Sequence, residues 1–198
     1  IVRKLVADAD VFLTNVRPSQ LKEQGLDFDT LKLINPKLVY ASVTGFGLEG
    51  EEADKPGFDT AAFMSKSGFG WMMTPKGSSP APLRTAAGDH ITGIATASGI
   101  LAALLKVQKS GEGCLVESSL LRSAAYAVGC DYGTWLRYGR VARSRPREEA
   151  IVAINNYYLT SDEHWLFINA RPGEPDWPDV ARATSLEHLI DDERFGSL

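Results

Sequence analysis

The chain has 198 residues, 44% of them hydrophobic and 23% charged, which allows one sizeable domain or a domain with part of a second. Its 21 basic and 25 acidic residues leave a net charge of -4, without the basic block that DNA or RNA binding requires. Two cysteines, Cys114 and Cys130, and three scattered histidines, His90, His164 and His188, suggest neither a disulfide scaffold nor a metal site.

No stretch reads as long enough to span a membrane. The opening Ile1-Val2-Arg3, with no methionine, and the unfinished close at Ser197-Leu198 read as a fragment of a longer protein.

Residues 1–9 have the pattern of an amphipathic helix end, with Ile1, Leu5 and Val6 on one side. Val11-Phe12-Leu13 is a short buried strand, stopped by Asn15 and Pro18. A helix over residues 18–23 ends at Gly25, and another follows over 28–34 until Pro36 breaks it. Residues 38–43 form a second strand, completing a parallel βα unit.

A Gly- and acid-rich loop covers 44–57, and an apolar helix runs from 57 to 64. The clearest element is a helix over 85–109, in which Ile91, Ile94, Ser98, Leu101 and Leu105 follow helical spacing. A strand over 114–117 leads to a helix capped by Ser118 or Ser119 and running to Tyr138. An arginine-rich connection then precedes a hairpin, residues 151–159 with 165–168, a proline-rich loop over 171–178 and a weak helix over 180–189. The division expected is 1–140 and 141–198.

Asp89 heads the most apolar long segment. It is either a carboxylate complementing the helix dipole or a nucleophile, which would require an activated acyl group and a site that excludes water. Arg17, in Asn15-Val16-Arg17-Pro18, lies where open α/β sheets bind ligands and has a fork of donors suited to phosphate; it is equally readable as a surface arginine in a turn. Thr44-Gly45-Phe46-Gly47 occupies the corresponding place after the next strand. Asp59 reads first as a helix cap. His90 points away from its neighbour Asp89, so the two do not form a dyad.

These stretches, taken together, resemble the class III CoA-transferases, the group of formyl-CoA transferase, carnitine CoA-transferase and α-methylacyl-CoA racemase. The likeness runs through residues 9–18, 35–47, Pro56-Gly57-Phe58-Asp59, Gly88-Asp89 with Thr92-Gly93, 99–105, Ser110-Gly111-Glu112-Gly113, 116–120 and Asp192-Glu193-Arg194-Phe195. It implies an α/β fold: a fragment of the Rossmann-like CoA-binding large domain and the start of a smaller α+β domain. The complete protein would be longer, lacking here the family's first strand-and-loop region and a later glycine-rich loop, and would be an interlocked homodimer.

By this resemblance Asp89 is the catalytic aspartate, carrying CoA between an acyl-CoA and a carboxylic acid through aspartyl anhydride and aspartyl-CoA thioester intermediates. Asn15, Val16, Arg17, Gly45, Phe46, Gly47 and Asp59 fall in the coenzyme A region. No metal, nucleic acid or membrane is implied, and the compartment would be cytoplasmic, or mitochondrial or peroxisomal in a eukaryote. Two departures stand out. Phe58 replaces the histidine that racemases use as a base, which favours transfer over racemisation, and Glu23 stands where many members carry an arginine near the CoA nucleotide. An α-methylacyl-CoA racemase-like enzyme and a non-catalytic CoA-binding fragment are the alternatives.

Overall fold

The computed structural model describes residues 1–82, 84–171 and 176–194. Phe195 of the closing motif and part of the proline-rich loop fall outside them. The chain divides into two compact units, residues 1–74 with 78–143, and residues 75–77 with 144–198.

The first unit is built on a three-stranded parallel sheet of order β1 (Val11–Thr14), β2 (Val39–Thr44), β3 (Cys114–Ser119). Val11 pairs with Val39, and Val39 with Cys114. Central β2 is almost wholly buried, as a strand with neighbours on both edges must be. The first crossover contains α2 (Pro18–Gln24) and α3 (Phe28–Ile34). Proline suits the start of α2 because its missing N–H would be unpaired there, and Gly25 closes the helix with φ of 61°. α3 is capped by Asp27, whose carboxylate accepts the Thr30 amide at 3.1 Å and its hydroxyl at 2.7 Å. Asn35 donates to the carbonyls of Val6 and Ala9, tying α1 (Val2–Val6) beneath the sheet.

Val6, Leu31, Leu38 and Tyr40 form the core there, with Phe12 and Phe28 against the Tyr40 ring. The Tyr40 hydroxyl donates to the Leu26 carbonyl at 2.9 Å, and burial, aided by the charge of Asp27, pushes its pKa up to about 12.

The second crossover begins with a π-helical segment, Asp59–Lys66, where an ordinary apolar helix was expected. It continues through α4 (Phe69–Met73) to α5 (Ala87–Ser110). Phe63, with no exposed surface, packs with Ala62, Leu120 and Ala124 into a second core.

The face that α5 turns to the protein is not its apolar stripe. Thr92, Thr96, Gly88 and Ala103 are buried, whereas Ile94 is 73%, Leu101 64% and Leu105 59% exposed. Small residues allow α5 to sit close over the strands, and the Thr96 and Ser118 hydroxyls meet at 2.6 Å. α5 also corrects the expectation that nothing reaches the length of a membrane span. Its 24 residues include a window of mean hydropathy 1.5, enough by length and composition alone, a test that core helices also pass.

β3 leads into α6 (Leu120–Ala127), with the Ser119 hydroxyl accepting the Arg122 amide. The helix expected to reach Tyr138 is broken at Val128, and α7 (Gly129–Tyr138) follows.

In the second unit, β4 (Asn155–Leu159) pairs antiparallel with β5 (Trp165–Asn169), and α8 (Trp177–Ala183) covers Ile154 and Ile168. The hairpin starts later than expected, because residues 151–154 run in as a turn whose Ile154 belongs to the core.

Candidate functional site

Parallel strands place all their carboxyl ends at one sheet edge, where the chain must turn away. A cleft of about 120 Å³ opens there. Asn15, Arg17 and Pro18 border it after β1, Val43, Thr44 and Gly45 at the end of β2, and Leu120 after β3. Ala53, Lys55 and Gly57 come from the following loop, and Asp89 from the first turn of α5.

Four of the residues singled out in the sequence thus share this cleft: Asn15, Arg17, Gly45 and Asp89. Val16, Phe46, Gly47 and Asp59 do not line it. The Val16 amide turns back to the Thr14 hydroxyl at 3.2 Å, and the Gly47 amide to the Thr44 hydroxyl at 2.8 Å. The Phe46 ring packs on the core around Phe63. Asp59 accepts the Gly88 amide through Oδ2 at 3.2 Å.

Asp89 is exposed to solvent at the cleft, so the water exclusion that a carboxylate nucleophile requires is not supplied by the described residues.

The wall of the cleft is held by close backbone approach. A Cβ on Gly45 would stand 2.6 Å from the Gly57 Cα, so neither position accepts a side chain without the loop moving away from β2. Glu117 fixes the same turn from β3, accepting the Leu48 amide at 3.0 Å and facing Arg122 at 3.4 Å.

α2 has no cap of its own and borrows Asp54, whose carboxylate accepts the Ser19 amide at 2.9 Å. That amide, then the Ser19 hydroxyl and the charge of Arg17, holds the Asp54 carboxyl below its ordinary value. Arg17 Nη1 reaches the Asp54 carbonyl at 3.5 Å.

Lys55 was missed by sequence reasoning, which saw only glycines and acids in its loop. It pairs with Glu52 at 3.0 Å, and Lys66 meets the same carboxylate at 3.0 Å. Hydrogen bonds from Lys66 and Lys55 hold Glu52 below the usual carboxylate range. No periodicity marks Lys55; the signal lay in a lysine two residues before the Gly57 that must meet Gly45. Arg17 and Lys55 give the cleft two cations beside one carboxylate, an arrangement able to hold a phosphorylated ligand while leaving Asp89 facing it.

A model of CoA-transferase family III matches residues 1–198. The chain is 34% identical over 206 aligned positions to cinnamoyl-CoA:phenyllactate CoA-transferase of Clostridium sporogenes, covering 100% of this chain and 48% of that protein. It is 40% identical over 201 positions to succinate–glutarate CoA-transferase of Agrobacterium fabrum, again covering 100% and 48%. The fold matches the crystal structure of a CAIB/BAIF family protein from Brucella suis with a TM-score of 0.84 and 28% identity, over 99% of this chain and 51% of that one. The chain therefore spans about half the length of the relatives it matches.

Proposed function

This chain belongs to CoA-transferase family III, and on that premise we propose that the protein carrying it moves coenzyme A between an acyl-CoA and a carboxylic acid, with Asp89 as the nucleophile. The observation that carries the reading is the placement of Asp89 on the cleft that Asn15, Arg17 and Lys55 also border. The relatives named above are CoA-transferases acting on different acids, which supports the reaction class and leaves the acids open.

In this reading Arg17 and Lys55 hold phosphates of CoA, and the unit of residues 1–74 with 78–143 is part of the CoA-binding domain. The Asp89 carboxylate adds to the thioester carbonyl and expels CoA thiolate, leaving a mixed anhydride. The thiolate attacks the aspartyl carbonyl and releases the donor acid, giving an aspartyl-CoA thioester. The acceptor carboxylate displaces the thiolate to form a second anhydride. Thiolate attack on the acceptor's carbonyl then frees the new acyl-CoA and restores Asp89. No net oxidation or water is required, and any water at Asp89 would hydrolyse an intermediate.

Because Asp89 is exposed, this reading requires a further wall, from a second copy or from the rest of the protein, to keep water off the intermediates. The exposed stripe of α5 supports an interlocked homodimer as the working form. A cytoplasmic, mitochondrial or peroxisomal setting belongs to the same proposal. The racemase alternative loses its base, because Phe58, 74% exposed, cannot exchange a proton.

The test is a panel of acyl-CoA donors and acid acceptors offered to the complete protein and to Asp89→Ala. Transfer by the parent with none by the variant, which still binds CoA, supports the reading. Equal turnover by both, or α-proton exchange without an acceptor, rejects it.

A further inference from the structure

We infer that Asp59 is a positioning residue for Asp89, holding the reactive carboxylate through the backbone of Gly88 rather than binding coenzyme A; the inference rests on the reading of Asp89 given above. α5 begins without a cap of its own. Its N-cap position is Ala86, in left-handed backbone with φ of 59° and offering no side-chain acceptor. The amide of Gly88, one of those a helix start leaves without an internal partner, is taken by Asp59 Oδ2 at 3.2 Å, from a residue 29 positions earlier. The amide so anchored immediately precedes Asp89.

The surroundings of Asp59 confine this contact. It opens the π-helical segment, an element whose wide turn is common at functional sites, and the next turn buries Phe63 completely. A Cβ on Gly88 would collide with Asp59 Oδ1 and with the Phe63 ring, so the contact requires glycine there. Oδ1 itself is buried and has no hydrogen-bond partner among the described residues. A buried acceptor without a donor carries a desolvation cost that a cap on α5 itself would avoid.

The arrangement gains a mechanical link. Gly57, which meets Gly45 at the cleft wall, is two residues before Asp59, and Asp59 grips the amide next to Asp89. The loop that faces the ligand and the nucleophile are thereby set by one short piece of chain.

The test compares Asp59→Ala and Asp59→Asn with the parent in the complete protein, with rates normalised to folded protein and acylation of Asp89 followed by peptide mass. A displaced nucleophile loses rate rather than affinity, so Asp59→Ala is expected to lower kcat by about 10- to 100-fold while KM for acyl-CoA changes by less than about threefold. Asparagine retains an oxygen for the Gly88 amide and is expected to restore most of the loss. A wild-type kcat in Asp59→Ala, an effect confined to KM, or a folded Asp59→Asn as slow as the alanine variant would overturn the role. If Asp59→Ala does not fold, Asp59→Leu, of similar size and without an acceptor, takes its place: about a tenfold or greater loss of kcat in the folded leucine variant with near-parental Asp59→Asn supports the role, and parental kcat in the leucine variant, or about a tenfold loss in Asp59→Asn, overturns it. Transfer by the parent without acylation of Asp89 would overturn the function above and this role with it. Acylation of Asp89 in the parent, with Asp59→Ala unimpaired, would remove this role alone.

Discussion

Arg17 and Lys55 border the same cleft in different surroundings. Arg17 sits at the N-cap of α2, where among the described residues its fork reaches one carbonyl, so most of its donors remain for a ligand. Lys55 is already paired with Glu52. Arg17→Gln is therefore expected to weaken CoA binding by about 10- to 100-fold, the equivalent of losing a charge-assisted hydrogen bond of about 1.5–3 kcal/mol, in a calorimetric titration. Lys55→Gln should cost less, because its removal also frees Glu52 to hold Lys66 alone.

Asp54 gives the cleft an acid limit. Its carboxyl has a lower pKa folded than the ordinary 3.8, so the Ser19 contact stabilises the fold above 3.8 and is lost as pH falls through the lowered folded value. The Ser19 amide resonance should move with that titration in the parent and stay still in Asp54→Asn. An unmoved resonance in the parent would contradict the latch.

At the scale of elements, most of what positions the site was legible. β1 and β2, with α2 between them, follow from a β-rich run, a proline start and a glycine stop. Those local signals compete with nothing else in the chain. α3 fell within its expected residues for the same reason, with Asp27 at its cap.

What was not legible depends on the partner across the interface. The leucines and isoleucines of α5 have helical spacing, and so do its threonines, alanines and glycines. Sequence periodicity alone does not say which set faces the sheet. The choice is made by Val116, whose Cγ1 would stand 2.9 Å from a Cβ on Gly99, and by the paired hydroxyls of Thr96 and Ser118. The wide turn of Asp59–Lys66 has no residue signature within it, and Gly129, which follows the break at Val128, reads in sequence as one more small residue of a continuous helix.

The hydroxyl pair yields a stability prediction. Thr96→Val leaves Ser118 with a single long bond to the Ser42 carbonyl at 3.4 Å and should cost about 1–2 kcal/mol in a urea melt. Adding Ser118→Ala should recover part of it, because two apolar neighbours leave no unmet donor. A double variant weaker than the sum of the single ones would refute the pairing.

Across the molecule, the main unfinished surface is the outer stripe of α5. Ile94, Leu101 and Leu105 are each more than half exposed, and a fully buried leucine or isoleucine is worth about 1.5–3 kcal/mol. The proposed homodimer would cover this stripe with protein. Leu101→Glu with Leu105→Glu in the complete protein should therefore shift its mass in light scattering from dimer to monomer. An unchanged dimer would remove the stripe from the interface.

The resemblance carried by the sequence motifs identified the family and the α/β class, and both hold. It did not give Asp59's partner, because a motif records which residues recur and not which way a carboxylate turns once Phe63 is buried behind it. Nor did it give the exposure of Asp89, because a motif does not record what packs against a residue in space.

The central claim is that a bond forms between Asp89 and the substrate. The complete protein should be incubated with an acyl-CoA, trapped with hydroxylamine or borohydride, digested and mapped by mass. The account predicts modification of the peptide carrying Asp89, dependent on acyl-CoA and absent from Asp89→Ala. Full transfer activity with that peptide unmodified, or modification of a different residue, would contradict it.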